Sequence, residues 1–506
     1  MKISWTASNR SKGNRLQHRI FGTESEYAPF DRDQTATPQA PLSNRGWSEN
    51  QAKMGAILIE SLQGCRCPLA GEFLGNGGRL YLDRGGHPEY ATPECRTVKD
   101  LVAHEKAGDV LIQALVEKVR SQHPYTGLHV YKNNCDSYGH TYGGHENYLV
   151  TSLAMKHLDR LVPFLVTRQI YTGTGKVMTS PVNGCPVFQI SQRADFFDAT
   201  FSDRTSETRG IINIRKREIA RPGENQRLHI IVGDSNMAQP ALALKIGVTA
   251  LVLRLLEEEA LGEILALGAP AQAIKAISRS LKAPVAIRRQ GRTLHYTALE
   301  VQSLYLEKAL RLCARPGTDP EEIRWLGLWE YVLKGLKFLE ISQSEMHLIN
   351  DPGDLKRKID WVLKLWLLNR SRSKGADERQ LKLLDLIYHD LDPASGLYER
   401  CQSLGLVDRL VDEERIGQAQ CHPPADTRAH LRGLIIQKAF HQNLEILVEN
   451  WESIQIRTQR RRAGINHPFR NLTTAMNKLG IRLDDPFQGK NPQVLEELER
   501  FMEAWS

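Results

Sequence analysis

No apolar run in this 506-residue chain approaches the roughly 18 residues that span a bilayer, so no membrane segment is expected. Paired C-x₂-C motifs are missing as well. The eight cysteines are scattered, and Cys65 and Cys67 are separated by one residue, which argues against zinc. Reduced thiols in a cytoplasmic protein are the simplest reading. No P-loop or G-x-G-x-x-G stands where a strand enters a helix. Any phosphate must then be held on a sheet by arginines and metal. A dense basic stripe is also lacking. The formal charge is +8, but the basic residues are spread, and the densest run, residues 457–462, is short. Nucleic acid is therefore not expected as a partner, whereas an acidic protein or a nucleotide fits the charge. Residues 1–17 are polar and basic without an apolar h-region. They read as a disordered extension rather than a secretory signal.

What remains is an ordinary globular composition, 41% hydrophobic and 25% charged, with length for a large core and more than one domain. Residues 18 to about 236 alternate β-type runs with Gly- and Asn-rich turns. Residues from about 238 to 415 read mainly as helices, and residues 240–257 are nearly all apolar. Trp325, Trp329, Trp361 and Trp366 sit among leucines and are expected in the core. The polar stretch 30–51 reads as a surface loop, and 53–62 as a helix.

Chemistry concentrates in two extended segments. In Gly22-Thr-Glu-Ser-Glu26, side-chain alternation puts Glu24 and Glu26 on one face, about 7 Å apart. Two carboxylates on one face are costly unless a cation neutralises them, and Mg²⁺ is an oxygen-seeking cation. An exposed strand with a solvated acidic face explains the pair equally well. In Arg79-Leu-Tyr-Leu-Asp83, the leucines share one face and Arg79, Tyr81 and Asp83 the other. Arg79 suits bidentate phosphate binding. Asp83 sits at a strand end before Gly85-Gly86, where a catalytic carboxylate is well placed and where a turn aspartate is also common. Glu89 adds a third carboxylate. Further polar runs are Tyr131-Lys-Asn-Asn134, a Gly/His/Tyr loop over 137–144, His145-Glu-Asn-Tyr148, a strand face with Gln189, Ser191 and Arg193, and another with Arg227 and His229.

These segments together resemble the Pup ligase family and its sister, the deamidase-depupylase of Pup. Both are similar in fold to glutamine synthetase. The resemblance runs from Arg19 to about Leu479 and includes Asn76 to Glu94, Pro163-Phe-Leu-Val-Thr-Arg-Gln169, Leu228 to Met237, Tyr388-His-Asp390, Leu431-Arg-Gly433 and His467-Pro-Phe-Arg470. It implies an α+β fold: a glutamine synthetase-like antiparallel sheet packed on helices over 18–430, with a small C-terminal domain, 431–506, completing the nucleotide site. It implies that Glu24, Tyr81 and Glu89 bind magnesium. Arg79, Thr92 and Trp451 then contact ATP, and Asp83 is the catalytic aspartate. The implied activity is ATP-dependent joining of the C-terminal glutamate of a small Pup-like modifier to lysines of target proteins, marking them for proteasomal degradation. The spacing from Asp83 to Thr92, Gly233-Asp-Ser-Asn-Met237 and Tyr388-His-Asp390 are ligase-like. Hydrolysis of the same bond is the runner-up, and a non-catalytic binding protein on this fold a second alternative. A small-molecule glutamate–amine ligase fits the ordered motifs less well. Lys216-Arg-Glu218 departs from the acidic Asp-Glu-Pro that the family tends to carry.

Overall fold

The computed structural model describes residues 19–32, 44–62, 68–122, 125–136, 138–179, 186–204, 208–215, 225–262, 265–342, 351–442, 444–461 and 474–503. Its centre is a nine-stranded sheet. In spatial order the strands are Ala199–Ser202, Gly210–Asn213, Gln226–Ile230, Gly144–Val150, Phe21–Glu26, Pro88–Ala91, Arg79–Leu82, Phe73–Leu74 and Leu69–Ala70. Only the first pair is parallel among these neighbours; the rest are antiparallel. The expected α+β arrangement is observed.

One face of the sheet is packed against helices, among them Val98–Gln122 and Gln239–Glu257. Phe21, Tyr148, Leu228 and Ile230 point into this core with Leu101, Leu244 and Val248. The Gln239–Glu257 helix is apolar and long enough to cross a membrane by composition, yet 89% of its apolar window is buried inside the protein. It is the central core helix, as its all-round apolarity dictates. Trp325, Trp329 and Trp361 are buried as expected, and Trp361 donates to Ile170 O at 2.9 Å.

A charged network lies beneath the Phe21–Glu26 strand. Thr23 and Ser25 each donate to Glu105 at 2.5 Å. Lys132, fully buried, reaches Glu105 and Asp109 at 2.7 Å each. Tyr27 donates to Asp109 at 2.9 Å. These groups satisfy one another inside the protein, which is what a buried charge requires.

Three details differ from the sequence reading. A helix runs over Asn44–Glu60, so the last part of the supposed 30–51 loop, residues 44–51, is helical. Its Met54 and Leu58 are buried against the sheet's second core, and that packing outweighs the polar start of the segment. The helical middle also holds a three-stranded sheet, Ala266–Leu267, Val285–Arg289 and Arg292–Tyr296. The strand Pro186–Gln189 stops before Ser191 and Arg193, which lie in the turn beyond it.

The C-terminal part opens with helix Arg428–His441 and continues into an antiparallel sheet, Glu445–Asn450, Ser453–Arg461 and Thr474–Arg482. Leu431, Ile435, Ile454 and Ile481 share a core with Ala70 and Phe73 at the last strands of the main sheet. The His467–Arg470 motif lies outside the described residues.

Candidate active site

The second face of the main sheet carries the polar residues. Strand alternation buries Phe21, Thr23 and Ser25 on the helix side and leaves Gly22, Glu24 and Glu26 on the other. Antiparallel register then assembles rows across strands. Glu26 stands opposite Glu89, and Glu89 opposite Tyr81. Glu24 stands opposite Ala91 on one side and His145 on the other, while Ala91 is opposite Arg79. The acids of two segments and the Arg79-Tyr81 pair thus share one surface.

Tyr81 OH donates to Glu89 Oε1 at 2.6 Å. Glu24 is surrounded by cations and donors. Arg227 reaches its Oε1 at 2.7 Å and Asn147 Nδ2 at 3.1 Å. His145 Nδ1 lies 3.3 Å and His229 Nε2 3.5 Å from its Oε2. Burial alone favours the neutral acid, but Arg227, then His229 and His145, hold the Glu24 carboxyl well below its usual range. Glu89 goes the other way. Burial, then the charges of Glu24 and Glu26, push it well above the usual range. Burial and the neighbouring Glu89 and Glu24 likewise raise the Tyr81 phenol, so it stays protonated. Two groups bring three ligand-capable atoms within 4.8 Å of one another among the described residues: Glu24 with His145 and His229, and Glu26 with Asp83 and His87.

Asp83 ends the Arg79–Leu82 strand and closes a tight turn. Its amide donates to His87 O at 2.9 Å, and His87 N donates back to Asp83 Oδ1 at 2.7 Å. Gly86 takes φ +81°, a conformation that favours glycine. Helix Asn44–Glu60 clamps the turn from outside: a Cβ on Gly55 would come within 2.4 Å of Gly86 O. Burial works against the Asp83 charge, but hydrogen bonding and charge from His87 keep its carboxyl below the usual range. Asp83 is therefore ionised and aimed by its turn.

The other expected site residues fall into a second group. Arg79 pairs with Glu72, its Nε 3.0 Å from Glu72 Oε2, and its guanidinium lies 4.0 Å over the Tyr81 ring. It also lies 5.5 Å from the Phe73 ring. Phe73 meets Trp451 edge-on, centroids 5.2 Å apart. Arg79, Phe73 and Trp451 so form one continuous wall. Thr92 is buried, with its hydroxyl accepting from Thr23 N at 3.0 Å. The wall has a support that the sequence reading did not single out. Arg432, fully buried, pairs with Glu94, donates to Trp451 O at 2.9 Å and lies 4.8 Å over the Trp451 ring. Burial raises Glu94, yet Arg432 and Arg428 bring it down to about 2. The pairs that Arg432 and Arg428 make with Glu94 join residues more than 300 positions apart, which no local pattern shows. His87 was missed as well. Arg193 is buried, donates to Ile231 O at 2.6 Å, and is lowered by burial to about 10.

Comparison with known proteins gives one answer. The Pup-ligase protein family matches residues 19–455. A Pup–protein ligase of Acidimicrobium ferrooxidans is 39% identical over 83% of this chain and 88% of its own length. One of Xylanimonas cellulosilytica is 36% identical over 92% of this chain and 99% of its own. Among solved structures, the complex of the prokaryotic ubiquitin-like protein Pup with its ligase PafA superposes with a TM-score of 0.79 at 31% identity, covering 97% of this chain and 93% of that one. PafA in complex with ADP superposes with a TM-score of 0.72 at 32% identity, covering 90% and 93%.

Proposed function

The chain belongs to the Pup-ligase family, and from that premise we propose that it works as a Pup–protein ligase, joining Pup to target proteins. The observation that carries the reading is the single sheet face where Glu24, Glu26, Glu89, Tyr81, Arg79 and the turn-held Asp83 meet. We assign the finer chemistry as follows. The γ-phosphoryl of ATP passes to the side-chain carboxylate of Pup's C-terminal glutamate, giving an acyl phosphate and ADP. A target lysine attacks the acyl carbon, phosphate leaves, and an isopeptide bond forms. Free lysine amine has a pKa of about 10.4, so a base must accept its proton. Asp83, ionised and held by its turn, has that role.

Glu24, Tyr81 and Glu89 would hold Mg²⁺. Their donors are all oxygen, the ligand type Mg²⁺ takes. The raised Glu89 carboxyl also marks a place where added positive charge is favoured. Bound there, the metal supplies charge to the phosphate oxygens. Arg79 would exchange Glu72 for phosphate, as a guanidinium fork can. Trp451 would face the nucleotide, with Thr92 nearby, so that segment 431–506 completes a site begun on 18–430. The reduced thiols of a cytoplasmic protein fit Cys95, Cys135, Cys313, Cys401 and Cys421, which are free.

Asp83→Asn is expected to bind ADP like the wild type and to lose conjugation of Pup to lysine, read by mass spectrometry of the isopeptide. Conjugation at the wild-type rate would remove Asp83 from the mechanism.

A further inference from the structure

The turn that carries Asp83 is built around one imidazole. His87 lies four residues on, at the far end of the turn, and its side chain is 14% exposed. Its amide already fixes one carboxylate oxygen, Asp83 Oδ1, at 2.7 Å. Its ring faces the other oxygen: Nδ1 is 3.4 Å from Asp83 Oδ2. The same nitrogen is 3.7 Å from Glu26 Oε2 on the neighbouring strand. This buried Nδ1 makes no well-aligned hydrogen bond among the described residues. Catalytic hydrogen bonds of this length tighten when reactants are in place.

The ring is itself held. It meets Tyr142 edge-on, centroids 4.8 Å apart at 83°. Tyr142 is fixed in turn by Gln51, whose Nε2 donates to its hydroxyl at 2.8 Å. A Cβ on Gly85 would come within 2.8 Å of the imidazole, so the turn has room for the ring only because a glycine stands there. Backbone, ring and glycine all constrain the same carboxylate.

We propose that His87 is a positioning residue for Asp83, orienting its Oδ2 toward the incoming amine and holding it apart from Glu26. The proposal rests on Asp83 being the base. The bland competitor is that the ring only fills space beside Tyr142.

Two substitutions separate these. His87→Leu keeps volume without a donor. His87→Asn keeps a side-chain nitrogen near Nδ1 with less volume. If the ring positions Asp83, His87→Leu lowers kcat about 100-fold with KM for ATP and ADP affinity unchanged, the scale expected for a catalytic group displaced by about 1 Å. His87→Asn then restores kcat to within about tenfold of wild type. If the ring only packs, His87→Leu outperforms His87→Asn, and the proposal is overturned. A second readout covers a poorly folding Leu variant. Single-turnover conjugation is compared for His87→Ala, for Asp83→Asn and for the two combined. A residue acting through Asp83 adds no further loss in the double variant, whereas an additive loss rejects the proposal. Wild-type conjugation by Asp83→Asn alone would instead fault the base assignment.

Discussion

Lys132 offers a direct test of how the strand bearing Glu24 and Glu26 is held. Its ammonium is fully buried and lies 2.7 Å from both Glu105 and Asp109. Replacing it with methionine preserves length and apolar contact but strands two buried carboxylates. At an effective dielectric near 20, each attraction is about 6 kcal/mol before the cost of desolvation. Breaking one side of a buried ion pair costs about 3–5 kcal/mol net. For a 506-residue chain unfolding as one unit, about 2.1 cal/mol/K per residue turns 4 kcal/mol into a drop of about 4 °C in melting temperature. The assay is differential scanning calorimetry of Lys132→Met, Glu105→Gln and the double variant. The double variant should recover about 1–3 kcal/mol relative to the sum of the singles. Conjugation activity should fall with Lys132→Met below its melting range, because Thr23 and Ser25 lose a fixed acceptor. A melting temperature within about 1 °C of wild type would refute the idea that this network carries the strand.

Three further outcomes follow from the same geometry. Burial raises Glu105, but Lys132 and the hydroxyls of Ser25 and Thr23 bring its folded pKa to about 2, against an ordinary 4.5. A depressed pKa stabilises above the unfolded value and loses that stabilisation as pH falls through the folded one. Glu105 thus contributes roughly 3 kcal/mol that disappears between pH 4.5 and 2, and urea titrations of Glu105→Gln should show a shallower acid limb there. Gly55→Ala puts a methyl within 2.4 Å of Gly86 O and should lower kcat with ADP binding intact, as read by steady-state conjugation. Trp451→Ala removes a ring set against Phe73 and Arg432 and should weaken ADP binding about tenfold, or about 1.4 kcal/mol, by titration calorimetry.

Period-two alternation alone placed Glu24 with Glu26, and Arg79 with Tyr81 and Asp83, because each strand's faces are fixed by local geometry. It did not say which strands adjoin. Glu89 and Tyr81 face each other across a tight turn, but that Glu26 joins their row depends on register with a strand far away in sequence. His87 escaped notice because it sits in a glycine turn with no periodicity; its signal was an aspartate four residues earlier with glycines between. Arg432 and Glu94 were invisible as a pair for the opposite reason, since 338 positions separate them. The Asn44–Glu60 helix was partly lost because its opening turns are polar and only Met54 and Leu58, farther along, declare a buried side.

The Phe21–Glu26 strand is hydrophilic on both surfaces past Phe21, with Thr23 and Ser25 beneath and Glu24 and Glu26 above. Oil-and-water contrast therefore cannot tell this strand which way up to lie. A slip of one residue would thrust Glu24 down among Glu105 and Asp109, with Lys132 already committed to both. Three acids would then compete for one buried ammonium. Correct threading of the strand is thus enforced by charge arithmetic, and the same arithmetic leaves the two glutamates on the face turned away from the helices.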